Sequence, residues 1–337
     1  MQIYRMKMEV EDTRECIAIT GAFGFIGSCL AAQLSRTGVY KLILIDDFRE
    51  EHKLHNLENV DADLKIERED FLDWTKSNLD QKIDYFLHIG ARTDTTEFDK
   101  EIFDKLNLNY SKAIWNLCCE RNIPLIYASS AATYGNGENG YSDDHNSIHK
   151  LVPLNPYGES KNEFDLWVLK QKTSPPFWYG LKFFNVYGPN EYHKSRMASV
   201  IFHAFSQFKD HGSVKLFKSH KPEFNDGEQL RDFVYVKDIV TVITWLLKCK
   251  TYSGIYNLGT GKANTFYALA ASVASAMQVP LNIQWIDIPE DIRDKYQYFT
   301  EAKMDKLIAA GYKNYFTSLE AGIEDYVKNY LIPENYY

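Results

Sequence analysis

The chain has 337 residues, 45% hydrophobic and 25% charged, a globular composition with room for one sizeable domain and a smaller partner. Its 46 acidic and 38 basic residues leave a net charge of -8, which excludes a nucleic-acid binder working through a basic surface. Cys16, Cys29, Cys118, Cys119 and Cys249 form no C-x-x-C pair, the N-terminal stretch has no signal-peptide core, and no segment is apolar for long enough to span a bilayer. A cytoplasmic protein with reduced thiols is expected.

In chain order, CIAIT, GAFGFIG, SCLAAQLSRTG and KLILID read as strand, glycine turn, helix and strand, one βαβ unit. Gly21, Gly24 and Gly27 leave backbone N–H groups bare at a helix start, where a pyrophosphate binds. Asp46 ends the next strand at the offset expected for a ribose-binding acid, about 20 residues after the last glycine. The dinucleotide stays open at this point: Asp46 favours the free ribose hydroxyls of NAD, whereas Arg49 and Lys53 could neutralise the extra phosphate of NADP.

YFLHIGA and LIYASS read as further buried strands, with a helix across FDKLNLNYSKAIWNLCCERN between them. The alternation predicts an α/β fold with a doubly wound parallel sheet. Past FFNVYGPNEYHK the pattern breaks, a helical MASVIFHAFSQF follows, and RDFVYVKDIVTVITWLLK resumes apolar periodicity. A smaller, discontinuous α/β lobe for substrate is expected there. Residues 1-183, 235-261 and 304-315 are assigned to the dinucleotide-binding domain, and 184-234, 262-303 and 316-337 to the lobe.

Ser130 ends a strand, and Tyr157 and Lys161 form Y-x-x-x-K at the start of a helix that follows Asn155 and Pro156. Bringing a phenol from pKa ~10 to ~7 requires about 4 kcal/mol of preference for the phenolate. An ammonium at about 4 Å supplies roughly that at an effective dielectric of about 20. Lys161 is therefore expected to activate Tyr157 as proton shuttle, with Ser130 holding the reacting hydroxyl. A metal at His145 and His149 is a weak alternative, because their segment SDDHNSIH is polar and loop-like.

These motifs resemble those of the extended short-chain dehydrogenase/reductase family. Within it, GARTDTTEFD, IYASSAATYG, NVYGPNEYHKSRMASVIFH, LRDFVYVKDIV, SGIYNLGTGKA and KYQYFTEAKMDKLIAAGY resemble successive blocks of the ADP-L-glycero-D-manno-heptose 6-epimerases, over most of residues 16 to 325. The resemblance implies a Rossmann-type domain and an isomerase that oxidises carbon 6 of an ADP-heptose to a transient ketone and reduces it again with the same tightly bound NADP. It implies two bases, Tyr157 and Lys194 of E-Y-H-K, a place in lipopolysaccharide core biosynthesis, and a homo-oligomer, typically a pentamer.

By the same resemblance, the cofactor is held by Gly21, Gly24, Phe25, Ile26, Gly27, Asp46, Asp47, Lys53, Ile89, Gly90, Ala91, Arg92, Thr93, Asn107, Lys161 and Val186. Asn185, Arg196, His203, Phe217, Arg231 and Tyr296 would contact the substrate, Arg231 at the diphosphate. Asp47 departs from the family's usual asparagine and would repel a 2'-phosphate. An epimerase, dehydratase or reductase of another nucleotide sugar, such as a UDP-hexose or GDP-heptose, would share Tyr157 and Lys161 but has no need of Lys194. A regulator that senses the dinucleotide without chemistry would not need the Tyr157, Lys161 and Ser130 set.

Overall fold

The structure, a computed structural model, describes residues 13-250, 252-293 and 296-337. Seven parallel strands make the main sheet: β1 (Glu15–Thr20), β2 (Tyr40–Asp46), β3 (Leu64–Glu67), β4 (Tyr85–His88), β5 (Leu125–Ser130), β6 (Trp178–Phe183) and β11 (Gly254–Leu258). Their order is β11-β6-β5-β4-β1-β2-β3. The chain runs outward one way from β1 to β3 and the other way from β4, so the order reverses between β1 and β4. That reversal opens a crevice at the carboxyl ends of these two strands.

The apolar runs form strands covered on both faces. Ile17 and Ile19 of β1 point to one side, into a cluster with Leu30, Ala31 and Leu34 of the helix Phe25–Thr37. Cys16 and Ala18 point to the other, among Ile114, Trp115 and Cys118 of the helix Tyr110–Glu120. Each large side chain removed from water in this way contributes about 2 kcal/mol. The helix Phe25–Thr37 starts at Gly24 and stops at Gly38, whose left-handed φ of 65° lets its N–H close on Ser35 O.

The helix expected from Phe103 to Asn122 is interrupted. Residues Asp104–Asn109 are π-helical between α-helical Lys100–Phe103 and Tyr110–Glu120. The extra residue in the turn turns Asn107 inward, where its amide accepts from Arg92 N at 2.8 Å and donates to Arg92 O at 3.0 Å.

Past β6, apart from β11, the strands are short and pair in small separate sheets. β7 (Asn185–Tyr187) pairs in parallel with β10 (Phe233–Tyr235), and β8 (Val214–Phe217) with β13 (Ile283–Ile286). β9 (Leu230–Arg231) lies between β12 (Asn264–Thr265) and β14 (Phe299–Thr300). The helix Val200–His211 begins at Ser199, whose hydroxyl accepts from Phe202 N. Among the described residues no helix is long and apolar enough to cross a membrane.

Candidate active site

The crevice between β1 and β4 holds a cavity of about 530 Å³. Its floor is two loops in close contact: a Cβ on Gly21 would lie 2.5 Å from Gly90 Cα, and one on Gly27 would lie 2.0 Å from Gly21 O. Gly21 also has φ +69°. The glycines therefore bring the N-terminus of the helix Phe25–Thr37 against the end of β4, exposing N–H groups and the positive helix end to the cavity. The buried Tyr110 hydroxyl in the wall has no hydrogen-bond partner among the described residues. The site thus fits a ligand with a pyrophosphate and further polar groups, which is what a dinucleotide offers.

Asp46 is committed to the backbone. Its Oδ2 accepts from Phe23 N at 2.9 Å and its Oδ1 from Asp47 N at 2.8 Å, while burial raises its pKa. The carboxylate thus braces the glycine turn from the end of β2. Asp47 is gripped by Arg49 through Nε and Nη2, both at 2.7 Å, which lowers its pKa to about 2. Arg49 is spent on this pair and lies outside the cavity lining, contrary to its expected role toward a 2'-phosphate. Lys53 and Arg68 line the cavity instead.

Gly21, Gly24, Phe25, Ile26, Gly27, Asp46, Asp47, Lys53, Ile89, Gly90, Ala91, Arg92, Thr93 and Lys194 all line this one cavity. Asn107 lies just behind it, holding Arg92. Val186, on β7, is outside the lining. Sequence reading missed Arg68, Tyr110, His193 and Met197. For Arg68 a signal existed: it follows β3 directly, and β3 pairs Glu67 with Asp46, so Arg68 sits one strand across from the ribose-side acid.

Ser130, Tyr157 and Lys161 meet at the end of β5. Asn155 caps the helix Pro156–Leu169 by accepting from Gly158 N at 2.8 Å, which sets Tyr157 and Lys161 on its first turns. Ser130 hydrogen-bonds the Tyr157 phenol, opposing the burial that raises its pKa. Lys161 Nζ donates to Ala128 O at 2.8 Å, and burial lowers its pKa to about 8. The expected arrangement is altered here. The lysine's charge is directed at a main-chain carbonyl, and the hydroxyl of Ser130 is what draws the phenol downward.

Lys194 enters the cavity wall from the segment Tyr192–Met197, its ammonium 5.6 Å from the Phe25 ring centre. Burial lowers its pKa, with Glu191 opposing. The Glu191 carboxylate is itself buried and accepts from Ser199 Oγ at 2.7 Å and Gly188 N at 3.3 Å, tying this segment to the helix behind it. The next residue, Ser195, has φ 48° and ψ -125°, a conformation glycine adopts far more easily. Arg196 bonds Asp94 at 2.8 Å, and His203 Nε2 lies 3.4 Å from Arg196 O.

A second group is separate from the cavity lining. Arg231 donates to Leu230 O at 2.8 Å and to Gln297 O, and lies 5.6 Å from the Tyr296 ring centre. Tyr296 meets Phe217 edge-on at 5.7 Å. Asp232, fully buried, accepts from Thr260 N, Thr260 Oγ1, Gly261 N and Ala302 N, anchoring β9 under Arg231. Asn185 is exposed and donates to Asp232 O at 3.2 Å. His145 is not paired with His149: its Nε2 faces Ile255 N and Lys306 Nζ, at 3.0 and 2.9 Å, and burial lowers its pKa to about 4.

A glycine-built dinucleotide crevice beside a serine, tyrosine and lysine set fits a nicotinamide-dependent enzyme. The chain belongs to the NAD dependent epimerase/dehydratase family, whose model matches residues 17–259. It is 47% identical to the ADP-L-glycero-D-manno-heptose-6-epimerase of Fusobacterium nucleatum, over 95% of this chain and 99% of that protein. The protein of the same name from Nitratidesulfovibrio vulgaris is 44% identical, over 93% and 97%. The crystal structure of the Helicobacter pylori ADP-L-glycero-D-manno-heptose-6-epimerase superposes with TM-score 0.79 at 28% identity, covering 96% of this chain and 98% of that one.

Proposed function

We propose that the chain epimerises ADP-D-glycero-D-manno-heptose to ADP-L-glycero-D-manno-heptose at carbon 6. The observation that carries this reading is Lys194: a half-buried lysine in the wall of the dinucleotide cavity, on a different segment from Tyr157. Inverting one carbon by removing and returning hydride calls for proton transfer in two substrate orientations, and two bases on separate elements provide it. The relatives named above act on this substrate by their names, and their length is matched almost throughout.

A bound nicotinamide dinucleotide supplies the hydride acceptor and donor. Tyr157 takes the proton from the carbon-6 hydroxyl in one orientation, and Ser130 holds that oxygen in line. Lys161 keeps a positive charge beneath this site. Lys194, whose lowered pKa makes it a better proton carrier near neutrality, serves the other orientation. Arg231 meets the ADP diphosphate, with Tyr296, Phe217, Asn185, Arg196 and His203 around the sugar nucleotide, in the lobe of residues 184-234, 262-303 and 316-337.

NADP is the dinucleotide of this reading. Lys53 and Arg68 face the ribose end, and Arg49 neutralises the Asp47 charge that would repel a 2'-phosphate. The product supplies lipopolysaccharide core assembly, and the working form is a homo-oligomer. Incubating purified protein with ADP-D-glycero-D-manno-heptose and no added cofactor, followed by NMR, should give the 6-epimer. No epimer even with added NADP or NAD would move the substrate to another nucleotide sugar. Chromatography of the nucleotide released on denaturation should give NADP, and NAD alone would reverse that assignment.

A further inference from the structure

Beneath Ser130 and Lys161 lies an ion pair that makes no contact with the cavity. Lys182 Nζ and Asp165 Oδ2 are 2.7 Å apart, and both side chains are wholly buried. Such a pair adds little to stability, since desolvating two charges offsets most of their attraction, so its burial here points to a geometric use.

Its partners are the neighbours of the reacting groups. Asp165 follows Lys161 by one helical turn and accepts from Ser129 Oγ at 2.6 Å, the residue before Ser130, and from Tyr127 OH at 3.0 Å. Lys182 also donates to Thr133 Oγ1 at 2.7 Å, and that hydroxyl donates to Ser130 O at 2.8 Å. The helix Pro156–Leu169, β5, β6 and the turn Ala131–Tyr134 are therefore joined through one carboxylate and one ammonium. Room has been made for it: a Cβ on Gly180 of β6 would lie 2.3 Å from Tyr127 Cζ, so Tyr127 reaches Asp165 only across a glycine.

We propose that Asp165 and Lys182 are positioning residues for the reaction, fixing Ser130 against Tyr157 and keeping the Lys161 ammonium in place and charged. This rests on the roles given above to Ser130, Tyr157 and Lys161. The titratable groups that bear on Lys161 are Tyr157 one turn earlier and Asp165 one turn later on its own helix, His88 on β4 and, through Asp165, Tyr127 on β5 and Lys182 on β6. Burial holds His88 neutral with a pKa of about 3 and keeps Tyr127 protonated, so Asp165 is the anion that opposes the desolvation of Lys161.

The test is the pH profile of kcat for the holoenzyme carrying Asp165→Asn with Lys182→Met, a neutral pair of similar shape that leaves no buried charge unpaired. Dinucleotide content and KM should stay at wild-type values, while the alkaline limb of kcat moves down by about one pH unit because Lys161 loses its proton earlier. Lys182→Arg, which keeps the cation, should leave the limb in place. An alkaline limb that stays at its wild-type position overturns the proposal, whatever the level of kcat, since lost packing alone would act equally at every pH. If the double variant does not accumulate, Ser129→Ala and Thr133→Val each remove one hydrogen bond to the pair. Both should lower kcat severalfold at unchanged KM, and wild-type kcat in both overturns it. Tyr157→Phe, assayed alongside, separates the two readings: full turnover there removes the roles on which the proposal rests, whatever the pair does.

Discussion

The dinucleotide cavity and the Arg231 group are built in opposite ways. The cavity is made from main chain: three glycines, a helix end and two loops in contact, with Asp46 bracing the turn through two backbone N–H groups. The Arg231 group is made from side chains spread far apart in sequence: Phe217 and Arg231 are held on strands of four and two residues, and Tyr296 on the irregular segment before β14. A main-chain site tolerates almost no added atom but is indifferent to most distant substitutions. A side-chain site tolerates repacking, and its affinity resides in single groups.

The widest separation between the two should come from Gly21→Val. The β-branched side chain meets Gly90 at a φ that valine does not adopt, so the purified variant should carry no dinucleotide, measured as released nucleotide per chain. Retention of dinucleotide would mean that the loops can part. Arg231→Met should act on the other site alone, raising KM for the nucleotide sugar roughly thirtyfold for the loss of about 2 kcal/mol of charged hydrogen bonding, with dinucleotide content unchanged. An equal loss of dinucleotide would show the two sites to be one.

Acid should weaken the main-chain site first. His88 lies fully buried under it, within 2.7 Å of Thr20 Oγ1 and 2.8 Å of Ser111 Oγ, and burial lowers its pKa from 6.5 to about 3. Between those values the ring is neutral in the fold and protonated in the unfolded chain, so unfolding takes up a proton and stability falls as pH drops below 6.5. The slope from this one group reaches about 1.4 kcal/mol per pH unit. Thermal unfolding at about pH 7.5 and about pH 5 should show a smaller acid loss in His88→Asn than in wild type, and an equal loss would remove His88 from the account. The smallest effect expected is Ser195→Gly, which relieves the strained backbone beside Lys194 and should stabilise by about 1 kcal/mol, a rise of a few degrees in Tm. A fall in Tm would show that Ser195 is not strained.

The same contrast governs what was legible in the sequence. The turn at Gly21, Gly24 and Gly27, the acid at Asp46 and the capped helix carrying Tyr157 are local patterns, each written within a few residues. The π-helical stretch around Asn107 carries no such pattern, since its cause is a contact with Arg92 fifteen positions earlier. Nor could spacing show that Arg49 is bound to Asp47 while Arg68 faces the cavity, because that depends on how β2 and β3 lie side by side. Helical spacing predicts that Lys161 activates Tyr157, but the tertiary structure gives the ammonium to Ala128 O and leaves Ser130 beside the phenol.

The π-helical segment Asp104–Asn109 also sets an angular phase. Each residue of an α-helix advances the chain by about 100°, so deleting one residue between Asp104 and Asn109 would restore a regular helix while rotating everything upstream by that amount. Trp115 and Ile114 would keep their places in the sheet-facing core, and Asn107 would swing away from Arg92. The loop after β4 would then lose its clamp, and the fully buried Phe103, upstream of the segment, would turn away from Tyr157. The segment behaves as a one-residue gear between a packing face and a binding face.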